Sequence, residues 1–444
     1  MKKCILLLLT AVISVLFSGC IMKSVSELYA LPEQSPEYRS LQNALSQTLS
    51  GSTEYSSPMN GANQQPIQMA DLDGDGLNEA IVFLSTIGEN PLKTCVFTQV
   101  DGEFSNTCLI EGSGSAFDRV EYAQMDGLGG NELIIGRRIG SQTLQSIGVY
   151  SVTDGGMKEM MTATYSEFTI TDLDGDGCRD LFLLRFNAET REGTAELYRC
   201  RDGALVREAQ VGCSMQQSGI RQINVGMLSP TYRGIFVSGV LESGTAVTDV
   251  YMFHEDVFTH VSSTKYLELE AAPVRGYDVF ATDVDSDGFI EFPQVIVLPS
   301  TAGAASEPQQ SVISWYNYDP ENGLSLKETT YHNFGGGWFL RIPKRIGTDL
   351  LISRGQELKG TAGLSFCRNN GRNESDGELF SVYSLSGSAL DAVTPEDNCF
   401  ILSRRSDTAV VARLGDSAQG LNLTQEEVSA MFSYIQIHWN SGET

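Results

Sequence analysis

The chain has 444 residues, enough for two or three domains, and its 41% apolar content is ample for a buried core. A formal net charge of −26 excludes a nucleic-acid partner, because a phosphate backbone would be repelled. The surplus of carboxylates suits solubility outside the cell and the binding of cations.

Lys2 and Lys3 are followed by an apolar run from Ile5 to Phe17 and then by Ser18-Gly19-Cys20, the plan of an export signal. A helix of that length spans about 20 Å, short of the roughly 30 Å hydrocarbon core, so a membrane span is the weaker reading. Leu16-Phe17-Ser18-Gly19-Cys20 resembles the lipobox of bacterial lipoproteins, with Phe17 where that family usually carries Leu. The resemblance implies removal of residues 1–19 and lipidation of Cys20, which would hold the protein at the extracytoplasmic face of the cell membrane.

Residues 20–66 read as a tether with one helix. Ser35-Pro36-Glu37 is a helix start, and Leu41, Leu45 and Leu49 then recur every four residues beside Ala44. Residues 51–65, rich in Ser, Gly and Asn, read as a loop.

From residue 67 the chain repeats itself. Asp71-Leu72-Asp73-Gly74-Asp75-Gly76-Leu77-Asn78-Glu79 leads into Ala80-Ile81-Val82-Phe83-Leu84. Asp172-Leu173-Asp174-Gly175-Asp176-Gly177-Cys178-Arg179-Asp180 leads into Leu181-Phe182-Leu183-Leu184. Asp283-Val284-Asp285-Ser286-Asp287-Gly288-Phe289-Ile290-Glu291 leads into Phe292 and Val295-Ile296-Val297. A decayed copy starts at Gln124 and ends at Glu132, and a further copy, Met227 to Tyr232, has lost its acids. A second mark keeps register with the first: Phe97, Tyr150 and Tyr198 stand four residues before Asp101-Gly102, Asp154-Gly155 and Asp202-Gly203, each turn thirty residues after its loop start. Each repeat thus reads as four short strands in about 50 residues, the size of a propeller blade. The expectation is mainly β: a β-propeller of about five four-stranded repeats over 67–331, with a C-terminal α+β domain over 332–444; a seven-bladed propeller is the alternative. The C-terminal part has further strand-like runs and a closing helix, opened by a Thr424/Glu427 capping box and lined by Val428, Met431, Phe432 and Ile435.

Carboxylates at alternate positions followed by Gly form a loop for a hard cation, since calcium takes six to eight oxygens at about 2.3–2.6 Å. Asp71, Asp73, Asp75 and Glu79 would ligate by side chain and Leu77 by its carbonyl; the same roles fall to Asp172, Asp174, Asp176, Asp180 and Cys178, and to Asp283, Asp285, Asp287, Glu291 and Phe289. An EF-hand would need a bidentate Glu at the twelfth position, which is Val82, Leu183 and Gln294 here. A carboxylate at the ninth position leading into a strand instead resembles the FG-GAP and VCBS repeats of integrin-type propellers and bacterial surface proteins. That resemblance, over residues 67–330, implies calcium between strands, with the second and fourth repeats left without it. Gly336-Gly337-Trp338-Phe339-Leu340-Arg341-Ile342-Pro343-Lys344 and the runs at 363–366 and 378–382 look like a small domain of exported proteins of Gram-positive bacteria, which implies no activity.

If Asp101-Gly102 is a two-residue hairpin turn, Cys95 and Cys108 face each other and can form a disulfide; buried free thiols are the competing reading. Four histidines without metal-ligand spacing, no nucleophile elbow and no phosphate-binding loop give enzyme chemistry little support. The expected function is therefore a calcium-stabilised, lipid-anchored surface binding or scaffold module with an unidentified protein or polysaccharide ligand. A propeller-based hydrolase or lyase acting on an envelope or extracellular polymer is the alternative.

Overall fold

The computed structural model describes residues 36–48, 53–140, 145–153, 156–244, 246–261, 279–300 and 309–435. The export signal, Cys20, Ser35, Leu49 and the Asp154-Gly155 turn lie outside them.

The described residues form six antiparallel sheets in chain order. The first holds Ile67–Ala70, Glu79–Ser85, Leu92–Val100 and Glu103–Gly112, with the short strand Glu54–Tyr55 also on Glu79–Ser85. The second is Ala116–Ala123, Glu132–Arg138, Gln145–Thr153 and Gly156–Tyr165, and the third is Glu167–Thr171, Asp180–Phe186, Gly193–Arg201 and Ala204–Cys213. Ile220–Met227, Arg233–Val240, Ala246–His254 and Val257–His260 make the fourth. In the fifth the first strand is reduced to a Thr282–Glu291 bridge; Phe292–Val297, Ser311–Asp319, Gly323–Asn333 and Trp338–Ile342 follow, and Phe432–Tyr434 joins from the end of the described chain. The sixth is Leu350–Leu358, Thr361–Asn369, Ser375–Ser386, Thr408–Leu414 and Cys399–Arg404.

The second strand of the repeats explains why the sheets stack. It is apolar on both faces, as a strand covered on two sides must be. Ile81 and Phe83 of the first sheet meet Leu133 and Ile135 of the second, while Ile134 looks the other way onto Leu181 and Leu183 of the third. Phe182 and Leu184 then meet Ile235 and Val237 of the fourth, and Phe236 meets Phe292 of the fifth. Leu340 and Tyr331 of the fifth pack on Phe366 and Phe380 of the sixth. Face-to-face succession of blades is propeller-type packing, and the chain is mainly β. Among the described residues no core cluster joins the first sheet to the sixth. Each of those end sheets instead carries a helix. Helix α1 (Pro36–Thr48) lays Leu41 and Leu45 on Ala80, Val82 and Leu84, while Ala389 and Leu390 of helix α2 (Gly387–Asp391) cover Tyr383, Leu385 and Val411.

Two expectations meet differences. The fifth sheet runs past residue 331 to Trp338–Ile342, and its edge comes from beyond helix α3 (Gln425–Met431), so the C-terminal part is interleaved with the repeats. The Cys95–Cys108 pairing is corrected. Asp101 and Gly102 do turn with φ of 50° and 85°, and Phe97 faces Asn106. Thr107 is then an extra residue, so Cys95 faces Leu109 and Val96 faces Cys108. One inserted residue flips the alternation of side chains. Cys95 packs toward α1 and Cys108 toward the second sheet, and both thiols are free. The same shift recurs at Val149/Tyr150, Leu197/Tyr198 and Trp315/Tyr316, making it a repeat feature.

Leu45→Ala should destabilise the protein by about 2–3 kcal/mol, because it opens a cavity between α1 and the first sheet. Urea denaturation checks this; an unchanged midpoint would show that α1 does not hold the first sheet.

Candidate functional site

The acidic loops lie between the first and second strands of their sheets, and their backbone explains their sequence. Loop positions four and six have left-handed φ: Gly74 78° and Gly76 86°, Gly175 80° and Gly177 91°, Ser286 65° and Gly288 90°. Glycine adopts that conformation without a Cβ penalty. Within the loops the carboxylates face the backbone. Asp71 accepts from the Gly74 and Gly76 amides at 2.7 and 3.0 Å, and Asp172 from those of Gly175 and Gly177 at 2.7 and 3.1 Å. Asp283 accepts from Asp287 and Gly288 at 3.1 and 2.9 Å. The amides of Leu77, Cys178 and Phe289 donate to Asp75, Asp176 and Asp287 at 2.7, 2.8 and 2.9 Å.

The ninth position is the most constrained. Glu79, Glu132, Asp180 and Glu291 are 1%, 1%, 3% and 0% exposed, and each accepts from the amide of loop position two: Leu72 at 2.8 Å, Met125 at 2.6 Å, Leu173 at 3.1 Å and Val284 at 3.0 Å. Burial, with the neighbouring aspartates, pushes the Glu291 carboxyl up to about 7 against the Val284 amide, and raises Glu79 for the same reasons. Burial likewise lifts Glu132 to about 7 and Asp180 to about 6, with Arg199 opposing the rise at Asp180.

Among the described residues three groups of carboxylates can hold a metal ion: Asp71, Asp73 and Glu79; Asp172, Asp174 and Asp176; and Asp283, Asp285 and Glu291, each with oxygens within 4.8 Å of one another. The first and fifth repeats thus bring their ninth-position glutamate into the cluster. The third does not, because Arg199 Nε lies 3.1 Å from Asp180 and its guanidinium also pairs with Asp174. In the fifth repeat Lys327 pairs with Asp285 at 2.9 Å and with Asp287. Even so, Glu291 Oε1 and Asp285 Oδ1 are buried without a hydrogen-bond partner, which fits a cation there. Arg199 and Lys327 were not foreseen. Arg199 stands 27 residues after its loop start, where the first two repeats have Thr98 and Ser151, so aligning the repeats on that position would have exposed it.

Neighbouring loops are tied together. The eighth-position amide donates to the first-position carbonyl of the preceding repeat: Asn131 to Asp71 at 3.1 Å, Arg179 to Gln124 at 2.8 Å and Ile290 to Met227 at 2.9 Å. The approach is close enough that a Cβ on Gly130 would lie 2.2 Å from the Leu72 carbonyl oxygen. Gln124, with its amide oxygen turned inward, accepts from the amides of Gly127, Leu128 and Gly129, so the decayed loop keeps its shape without a first-position acid. In the fourth repeat the Leu228 amide bonds the Tyr232 carbonyl at 2.8 Å instead of a carboxylate.

Beside the second and third loops a groove of about 410 Å³ is lined by Arg119, Glu121, Tyr122, Gln124, Thr169 and Arg179, among others. Arg119 Nε pairs with Glu121 at 2.7 Å, and the Tyr122 hydroxyl donates to Gln68 at 2.6 Å. Arg179 is exposed and, among the described residues, its side chain has no hydrogen bond or ion pair. His260 and His332 are buried away from the groove; His260 pairs with Asp249 at 3.1 Å.

No family model matches the chain, and no curated protein matches it. Among solved structures it is similar to the exotype rhamnogalacturonan lyase YesX, at TM-score 0.25 and 14% identity, over 72% of this chain and 62% of that one, so it spans less than two thirds of that lyase. Rhamnogalacturonan lyase YesW gives 0.30 and 11% over 81% and 91%, and the Dos1 propeller 0.30 and 9% over 72% and 80%. At these scores the likeness carries no argument about chemistry.

Glu132 provides a pH test outside the metal clusters. Its folded value near 7 lies above the roughly 4.3 of an unfolded glutamate, so the stabilisation it gives is complete below the unfolded value and lost as pH rises through 7. Glu132→Gln keeps an acceptor for Met125 and should flatten the fall of Tm between about pH 5 and 8. A variant profile parallel to the wild type would contradict this.

Proposed function

We propose that this is a lipid-anchored, extracytoplasmic binding or scaffold protein of the FG-GAP/VCBS kind, whose blades are held by calcium and whose ligand is a polysaccharide met at the groove beside the second and third loops. The observation that carries the reading is the groove itself: polar side chains on two adjacent blades, with the Arg179 guanidinium free to meet hydroxyl or carboxylate oxygens. Glycoside hydrolysis uses two carboxylates flanking the scissile bond. Among the described residues Glu121 is the one carboxylate lining this groove, and it is already paired with Arg119. An eliminating lyase needs a base, and the groove is lined by no histidine or lysine, while burial holds the Tyr122 phenol well above its ordinary value. Binding is therefore favoured over either reaction.

Calcium would be held by Asp71, Asp73 and Glu79 in the first loop and by Asp283, Asp285 and Glu291 in the fifth. Its role there is neutralisation of buried carboxylates at the foot of a core strand, which stabilises the folded state by mass action. The lipobox-like segment supports the anchor.

Two measurements test the reading. Calcium should raise the Tm of the mature protein and EGTA lower it, with Asp71→Ala reducing the shift and Gln124→Ala leaving it intact; equal melting in EGTA and millimolar calcium would refute the metal. Calorimetric titration with neutral and uronate oligosaccharides should find a binder whose affinity falls about ten-fold in Arg179→Ala, the size of a charge-assisted hydrogen bond. Absence of binding across such a panel, or indifference to Arg179, would refute the groove.

A further inference from the structure

The acidic loops share a sequence pattern, but their surroundings differ. No basic side chain among the described residues pairs with Asp71, Asp73, Asp75 or Glu79; the equivalent of Arg199 in that repeat is Thr98, whose hydroxyl bonds Thr107 at 3.0 Å. In the third repeat Arg199 joins Asp174 and Asp180, is largely buried, and stacks its guanidinium 4.3 Å from the centre of the Phe253 ring on the fourth sheet. Its planar fork is thus fixed from both sides. In the fifth repeat Lys327 reaches Asp285 and Asp287 on a flexible stem from a half-exposed position. Lys327 makes no ion pair with Glu291, which is fully buried, has an oxygen without a hydrogen-bond partner among the described residues and brings a carboxylate oxygen within 4.8 Å of Asp283 and Asp285.

We propose that Arg199 and Lys327 are tethered counter-cations that make the three loops unequal: the first is open to calcium, the fifth is gated by Lys327, and the third is neutralised by Arg199 in place of a metal. The proposal rests on the calcium reading above for the first loop. The physical basis is charge. A divalent ion is drawn by the net negative charge of its ligands, and one monovalent cation seated among three or four carboxylates removes much of that attraction. Ammonium on a four-carbon stem can withdraw; a guanidinium pinned by two carboxylates and an aromatic face does not. The chain would therefore keep the third blade stable where calcium is scarce and add rigidity at the first and fifth as it rises. In the third loop Asp180 also reaches one methylene less far than Glu79 and Glu291 at the same position, in keeping with an acid that meets an arginine rather than closes a metal shell.

The test is equilibrium dialysis of the mature chain against calcium alone, with melting curves in EGTA and in calcium. The wild type should hold one tight ion and a weaker second. Lys327→Met should tighten the second by about ten-fold or more, since removing a positive charge raises the charge count of the site. Arg199→Gln should admit a further ion, and Arg199→Lys, which keeps a charge, should not. In EGTA both neutral variants should melt below the wild type, with calcium restoring them. Three equal ions in the wild type would overturn the proposal, as would variants whose loss of stability calcium does not restore, the outcome for ordinary salt bridges. If the wild type binds no ion while both variants gain one, the calcium reading of the first loop falls, and what stands is that Arg199 and Lys327 occupy the third and fifth loops in place of a metal.

Discussion

A carboxylate buried at the start of a core strand is the constraint on which the rest of this structure depends. Glu79, Glu132, Asp180 and Glu291 sit at the foot of strands covered on both faces, where a charge without a partner is costly. Each is held by one amide seven residues earlier in the chain. That bond closes the loop, sets the apolar residue at position two into the core, and fixes where the strand begins. The remaining acids are then gathered around the same point, and something positive has to balance them.

The balance reaches beyond single loops because the first three are tied in series and the fifth is tied to the fourth. An amide from each of the second, third and fifth loops bonds the first-position carbonyl of the loop before it. Stiffening one loop therefore stiffens the junction between two blades, and the decayed second loop, shaped by Gln124, still bridges two intact ones. Arg179, one of these bonding residues, also points its free side chain into the groove. Loop order and the proposed ligand groove are in this way mechanically adjacent.

Much of this was legible in the sequence. Alternating acids followed by Gly marked the loops, and the Asp-Gly hairpins gave the strand count of the blades. Leu41 and Leu45 marked the helix that covers the first sheet. What was not legible depended on residues far apart in the chain. The extra Thr107 separates Cys95 from Cys108, and a bulge has no local composition that announces it. Lys327 approaches Asp285 from another strand of the same sheet, and only register decides that the two meet. The strand Phe432–Tyr434, too short to carry a period, returns to the fifth sheet after the terminal helix. Side-chain pattern reports which face is buried; it does not report which distant strand supplies the neighbour.

The central claim is that a cation at the foot of the second strand locks a blade to its neighbours. Amide hydrogen exchange resolved along the chain, with and without calcium, tests it most directly. Removing calcium should speed exchange in residues 72–85 and 284–297 and at Asn131, whose amide bonds the first loop, while leaving residues 233–240 unchanged. Uniform acceleration through all the repeats, or none in the first and fifth, would contradict it.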